Sequence, residues 1–131
     1  MCRRVRGGGC RPRPGRQAVS FSSGTAWLHA AVFAAGMASG DEAITTPLTF
    51  CATANAVLYQ GATPIFADVL EDTLTIDPDE VALRITPRTK AILPVDSPGH
   101  PPDLDALLAL STRHGRVIIE VPAHALAAVD R

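Results

Sequence analysis

Lysine is almost missing from this sequence: 131 residues contain one, Lys90. Any Schiff-base chemistry performed by this chain alone has that single amine to work with. Cysteine is scarce too. Cys2, Cys10 and Cys51 have neither a pairing logic nor metal-ligand spacing, which points to a reducing, cytoplasmic setting and away from a disulfide scaffold. The four histidines, His29, His100, His114 and His124, fall in no zinc-ligand pattern with one another or with a cysteine, so no metal site is expected. No apolar run approaches the roughly 18 to 20 residues of a membrane span; the longest, around residues 30–38, is about half that. A Gly-x-Ser-x-Gly elbow, a Walker loop and a GxGxxG fingerprint are all lacking, which removes the sequence signatures of three common enzyme classes.

Charge is balanced overall and unevenly laid out. Residues 1–16 carry six arginines and no acid, whereas residues 17–131 carry six bases against 13 acids, a net −7. A body of that sign lacks the basic face that phosphate backbones require, so nucleic-acid binding is not expected of it. Arg3, Arg4 and Arg6 resemble the start of a signal peptide, but Gly7-Gly8-Gly9-Cys10-Arg11-Pro12-Arg13-Pro14 follows in place of an apolar stretch. Residues 1–15 read as a disordered basic leader with too little apolar surface to fold, a polyanion tether being the competing reading.

What is present is 47% hydrophobic residues, enough for one core in a single domain of this length. Hydrophobic segments alternate with turn signals. Strands are expected at 18–21, 43–46, 64–67, 90–95 and 117–120. Helices are expected at 26–37, 52–60 and 103–114, with a short one running to Arg84 behind the capped start Asp77-Pro78-Asp79-Glu80. Gly61 reads as the C-terminal cap of the second helix. Strand–helix alternation, with continuous Val/Ile/Leu runs and no period of two, indicates an α/β fold in three layers, α/β/α, around a mostly parallel sheet. Ligands of such sheets gather beyond the carboxyl ends of the strands. Ser22-Ser23-Gly24-Thr25, ahead of the first helix, therefore reads as an anion cradle of helix-start amides and hydroxyls, though helix capping alone accounts for it about as well. Lys90 falls at the opposite, amino end.

Several blocks resemble, in order and spacing, the DegT/DnrJ/StrS-type aminotransferases, pyridoxal-phosphate enzymes of fold type I acting on keto groups of nucleotide-linked sugars. They are Ser-Ser-Gly-Thr-Ala (22–26), Gly-Asp-Glu (40–42), Pro-Leu-Thr-Phe (47–50), Ala-Thr-Ala-Asn-Ala (52–56), Gly-Ala-Thr-Pro-Ile-Phe-Ala-Asp-Val (61–69), Thr-Leu-Thr-Ile-Asp (73–77), Ile-Thr-Pro-Arg-Thr-Lys-Ala-Ile (85–92) and Pro-Asp-Leu-Asp-Ala (102–106). The match covers only the N-terminal half of the family's large domain, so residues 16–131 are expected to form a partial aspartate-aminotransferase-like domain. The resemblance implies that Gly24, Thr25 and Ala26 hold the phosphate of pyridoxal 5′-phosphate. It also implies that Phe50 stacks on the pyridine ring and that His124 lies near the 3′-hydroxyl. Without the resemblance Phe50 reads as a core residue. Asn55 and Asp68 match structural positions.

Three departures accompany the match. Val121 occupies the position where the family carries the aspartate that pairs with the pyridine nitrogen, and valine cannot stabilise a pyridinium. Asp96 stands in Pro-Val-Asp where the family has Pro-Val-His. The Schiff-base lysine belongs to a family segment beyond Arg131. Three expectations follow: a truncated or decayed sugar aminotransferase that is inactive alone, a binding or regulatory module for pyridoxal phosphate or a nucleotide-sugar, or one half of a split enzyme. In each, unpaired strand edge and apolar surface imply self-association or a complementary C-terminal half.

Overall fold

The computed structural model describes residues 19–96 and 100–122, together with the backbone of residues 4–6. Its elements run β1 (Arg4–Arg6), α1 (Gly24–Ala34), β2 (Glu42–Thr45), α2 (Ala52–Leu58), β3 (Thr63–Phe66), α3 (Pro78–Arg84), β4 (Thr89–Leu93), α4 (Leu104–His114) and β5 (Val117–Glu120). The five strands form one sheet in the order β1-β5-β4-β2-β3, and every pairing is parallel. The expected α/β fold with its parallel sheet is what the chain adopts.

Alternation along each strand divides the core between two faces. Ala43, Ala91, Leu93 and Ile119 face α1 and α2, meeting Leu28, Val32, Ala56 and Val57. Ile44, Ile92 and Ile118 face the other way, against Val81 of α3 and Leu107 of α4. The first face carries two alanines beside Leu93 and Ile119, and the second carries three isoleucines. The result is three layers, with the sheet buried on both sides as parallel sheets require.

The helix ends follow from their sequence. Ser23 Oγ accepts from the Ala26 amide at 3.2 Å, Asp77 Oδ1 from Asp79 at 2.8 Å, and Asp103 Oδ1 from Ala106 at 2.9 Å, each satisfying one orphan donor of a first turn. Gly61 takes φ +71 just past α2, a conformation open to glycine at little cost.

Two expectations need correcting. Residues 19–21 form no strand, and Val19 and Phe21 are exposed. Short apolar runs become strands only where a sheet edge receives them, because strand preference resides in packing against neighbours. Conversely, Arg4–Arg6 lies inside the stretch read as a disordered leader, yet it pairs in parallel with β5, Val5 opposite Ile119. An uncovered edge offers a row of unpaired amides and carbonyls to any extended segment, whatever its composition.

The amino edge of the sheet is tied by charge. The Glu42 carboxylate is buried and accepts from Thr86 Oγ1 and from Arg88 Nη2, both at 2.5 Å. The Arg116 guanidinium donates to the Thr86 carbonyl at 3.1 Å. The Thr86 hydrogen bond, assisted by Arg88 and working against burial, holds the Glu42 carboxyl below its ordinary range. Lys90 is exposed at the start of β4, at this same edge.

Candidate cofactor site at the carboxyl edge

The opposite edge is built differently. α1 begins at Gly24, behind the extended Ser23 (φ −159, ψ 160). Ser23 Oγ already engages the Ala26 amide and its carbonyl accepts from Trp27 at 3.1 Å. Ala26, read as a phosphate contact, thus has its backbone donor committed to the cap. The first amides of an α-helix have no intrahelical acceptor, which leaves those of Gly24 and Thr25 for a ligand. Ser22, Ser23, Gly24 and Thr25 are all exposed, and the first turn carries no acid to repel an anion.

Gly24 is informative for a second reason. Its φ is not among the positive values that favour glycine, and a Cβ built on it meets nothing within 4 Å. Neither backbone strain nor packing within the described chain requires a glycine there. Bare backbone facing open space at a helix start is what close approach of an anion requires. The donor set, two helix-start amides among three hydroxyls, fits a phosphate group.

Beyond β2, Thr45 and Thr46 are buried, Thr45 Oγ1 donating to the Leu93 carbonyl at 3.0 Å. The chain then turns through Pro47 to Phe50. Phe50 is 73% exposed, so it is no core residue; its ring is free to stack on a planar ligand. Asp68, after β3, uses Oδ1 to accept from the Val69 amide at 2.8 Å, a turn contact. Val121, just past β5, is buried in the cluster that contains Leu28 of α1. It bridges Val95 in parallel, its amide donating to the Pro94 carbonyl at 2.9 Å while its carbonyl accepts from Asp96 at 3.3 Å. His124 lies outside the described residues.

α1, the β2 turn and the ends of β4 and β5 therefore place Gly24, Thr25, Phe50 and Val121 on the carboxyl side of the sheet. Lys90 is not brought to them. The sequence reading gave no role to the carboxylate at Asp96, which is 2% exposed at the same edge. Its one local signal is an acid directly behind the apolar run 91–95.

Comparison with known proteins shows the family and the fold. Residues 14–131 match the model of the DegT/DnrJ/EryC1/StrS aminotransferase family. The chain is 49% identical over 111 residues to the spore coat polysaccharide biosynthesis protein SpsC of Bacillus subtilis strain 168, covering 85% of this chain and 28% of SpsC. Among solved structures, DesV of S. venezuelae, in complex with a ketimine intermediate, is 45% identical with a TM-score of 0.77, over 79% of this chain and 28% of that one. NtdA of Bacillus subtilis, with bound cofactor PMP, is 38% identical with a TM-score of 0.81, over 83% of this chain and 25% of that one. The chain thus spans little more than a quarter of the length of these relatives.

Proposed function

We propose that this chain, which belongs to the DegT/DnrJ/EryC1/StrS aminotransferase family, contributes the phosphate-holding edge of a pyridoxal-phosphate site serving amination of a keto sugar carried on a nucleotide. The observation that carries the reading is the start of α1: a bare glycine over open space, with exposed hydroxyls and no acid in the first turn. In this reading the Gly24 and Thr25 amides and neighbouring hydroxyls hold the phosphate, Phe50 covers one face of the ring, and His124 takes the 3′-hydroxyl. Bound pyridoxal phosphate supplies an electron sink for carbanion chemistry. The chain's own part is to bind, orient and shield it from water.

Within these 131 residues the reaction is not completed. The one lysine, Lys90, stands on the amino edge, a sheet's length from the cradle. The chain by itself is accordingly a cofactor-binding, catalytically incompetent unit. A second reading is a binding module, or a split-enzyme half whose amine comes from outside these 131 residues. Apolar surface supports such a partner. Phe33 on α1 is 71%, Leu58 at the end of α2 54% and Tyr59 just past it 58% exposed, which fits self-association or a complementary segment in the cytoplasm. Among the described residues no helix is long and apolar enough to cross a membrane.

Gly24→Val is the direct test. Calorimetric titration of pyridoxamine 5′-phosphate into the chain is expected to show saturable binding that the valine abolishes, with the melting temperature nearly unchanged because the new side chain meets only open space. Equal binding by the two proteins would place the anion elsewhere.

A further inference from the structure

We infer that Thr53 is a positioning residue for the cofactor: its buried hydroxyl, acting through Thr49, holds the turn that presents the Phe50 ring. The inference rests on the cofactor reading above, and it concerns how that ring is held in place.

The turn has little of its own to fix it. Pro47, Leu48 and Phe50 are exposed and Thr49 is half-buried. Cys51, at the start of α2, makes no side-chain cap bond. A phenyl ring on a loose turn has to be ordered by each ligand it meets, and that ordering is taken out of the affinity.

Threonines hold the turn at both ends. Thr46, buried just past β2, accepts from the Leu48 amide through Oγ1 at 3.1 Å. At the other end Thr53, in the first turn of α2, is 1% exposed, and its Oγ1 lies 2.9 Å from Oγ1 of Thr49. The Thr53 amide donates to the Phe50 carbonyl at 3.0 Å. Thr53 thus holds Phe50 by its backbone and the preceding residue by its side chain. Any residue except proline can make the first bond. The second needs a hydroxyl at position 53.

Core packing does not call for that hydroxyl. Ala52, Ala56 and Val57 of α2 belong to an apolar cluster with Leu28 of α1, and a hydroxyl taken into such surroundings is costly unless it is bonded. A helical threonine can satisfy itself on a carbonyl one turn back; this one reaches a side chain of the Phe50 turn. The shared cluster also sets α1 and α2 side by side, and both begin at the carboxyl edge. The turn ahead of α2 is therefore on the side of the molecule where Gly24 and Thr25 open α1.

The test titrates pyridoxamine 5′-phosphate and, separately, inorganic phosphate into the full 131-residue chain and its Thr53→Val, Thr53→Ser, Phe50→Ala and Phe50→Ala/Thr53→Val variants. Calorimetry reads affinity, and the ligand's ring-methyl proton resonance reads stacking, because a phenyl ring lying over the pyridine displaces it. Thr53→Val is expected to weaken pyridoxamine phosphate about three- to tenfold, the scale of one aromatic stacking contact, to shrink the methyl displacement and to leave inorganic phosphate unaffected. Thr53→Ser is expected to bind as the natural chain does. In the Phe50→Ala background, Thr53→Val is expected to cost nothing further. If Thr53→Val does not fold, Thr49→Val removes the same bond from its half-buried end and carries the comparison. Unchanged binding and methyl displacement in Thr53→Val, an equal loss for inorganic phosphate, or an undiminished further loss on top of Phe50→Ala overturns the assignment while leaving the cofactor reading intact. Phe50→Ala that binds like the natural chain overturns the place of Phe50 and the role of Thr53 together. No binding of either ligand by the natural chain overturns the cofactor reading as well.

Discussion

The two edges of the sheet handle polar groups in opposite ways. At the amino edge the Glu42 carboxylate is buried with Thr86 and Arg88 on its oxygens, and Arg116 reaches the same turn. Every member bonds another part of the same chain. At the carboxyl edge, hydroxyls and amides at the start of α1 are exposed, the Gly24 backbone faces open space, and a phenyl ring stands exposed. A protein satisfies buried polar groups internally where the role is structural. Donors are left open where a ligand is to complete them. Under the function proposed above, the difference assigns stability to one edge and binding to the other.

The sharpest way to break that division is to empty the layer between the edges. Ile92, fully buried on the face of α3 and α4, is expected to lose about 2 to 5 kcal/mol on truncation to alanine. The exposed Phe50 is expected to change stability by no more than about 0.5 kcal/mol on the same truncation and to weaken pyridoxamine phosphate binding instead. Denaturant unfolding and calorimetric titration on both variants check this; a large stability loss at Phe50 would return it to the core.

At the amino edge, Glu42→Gln is expected to cost about 1 to 3 kcal/mol through weakened charge-assisted hydrogen bonds, with cofactor affinity unchanged. The pH dependence has a definite sign. Because the folded state lowers the Glu42 pKa below its unfolded value of 4.5, the native state binds fewer protons there than the unfolded one. Its contribution is therefore complete above about pH 4.5 and fades as the pH falls through the folded value. Melting curves from neutral to acid pH should separate the natural chain from Glu42→Gln at the high end and converge at the low end. A gap that stays constant with pH would mean that the carboxylate's charge contributes nothing.

The smallest effect lies at the cap. Ser23→Ala removes the acceptor for the Ala26 amide and is expected to destabilise by about 1 kcal/mol. It also frees a third amide at the cradle, so phosphate affinity is expected to fall less than stability implies. Thermal melts and titration of inorganic phosphate distinguish the two consequences.

Most of this fold is legible in the sequence because its signals are local. Asp77-Pro78, Asp103 and Ser23 mark helix starts through bonds spanning two or three residues, and apolar runs such as 90–95 mark strands buried on both faces. The errors fall where distant partners decide. Nothing in Arg4–Arg6 announces a strand, since the open side of β5, more than a hundred residues along the chain, makes it one. Nothing in 19–21 warns that no edge receives it. The site divides in the same way. The proposed cradle at Gly24 and Thr25 is readable from turn–helix chemistry alone, since residues 19–21 form no strand, and the proposed place of Phe50 and the departure at Val121 are readable from the family pattern. The bridge from Val95 to Val121, across 26 residues, is revealed only by the fold.

The central claim, that the carboxyl edge binds and the amino edge holds, is tested most directly by mapping backbone amides while pyridoxamine 5′-phosphate is titrated into the natural chain. Saturable shifts are expected at Gly24, Thr25 and Phe50, with Glu42, Arg88 and Lys90 unmoved. Shifts centred on Arg88 and Lys90, with the start of α1 silent, would place the anion on the basic groups of the amino edge and contradict the account.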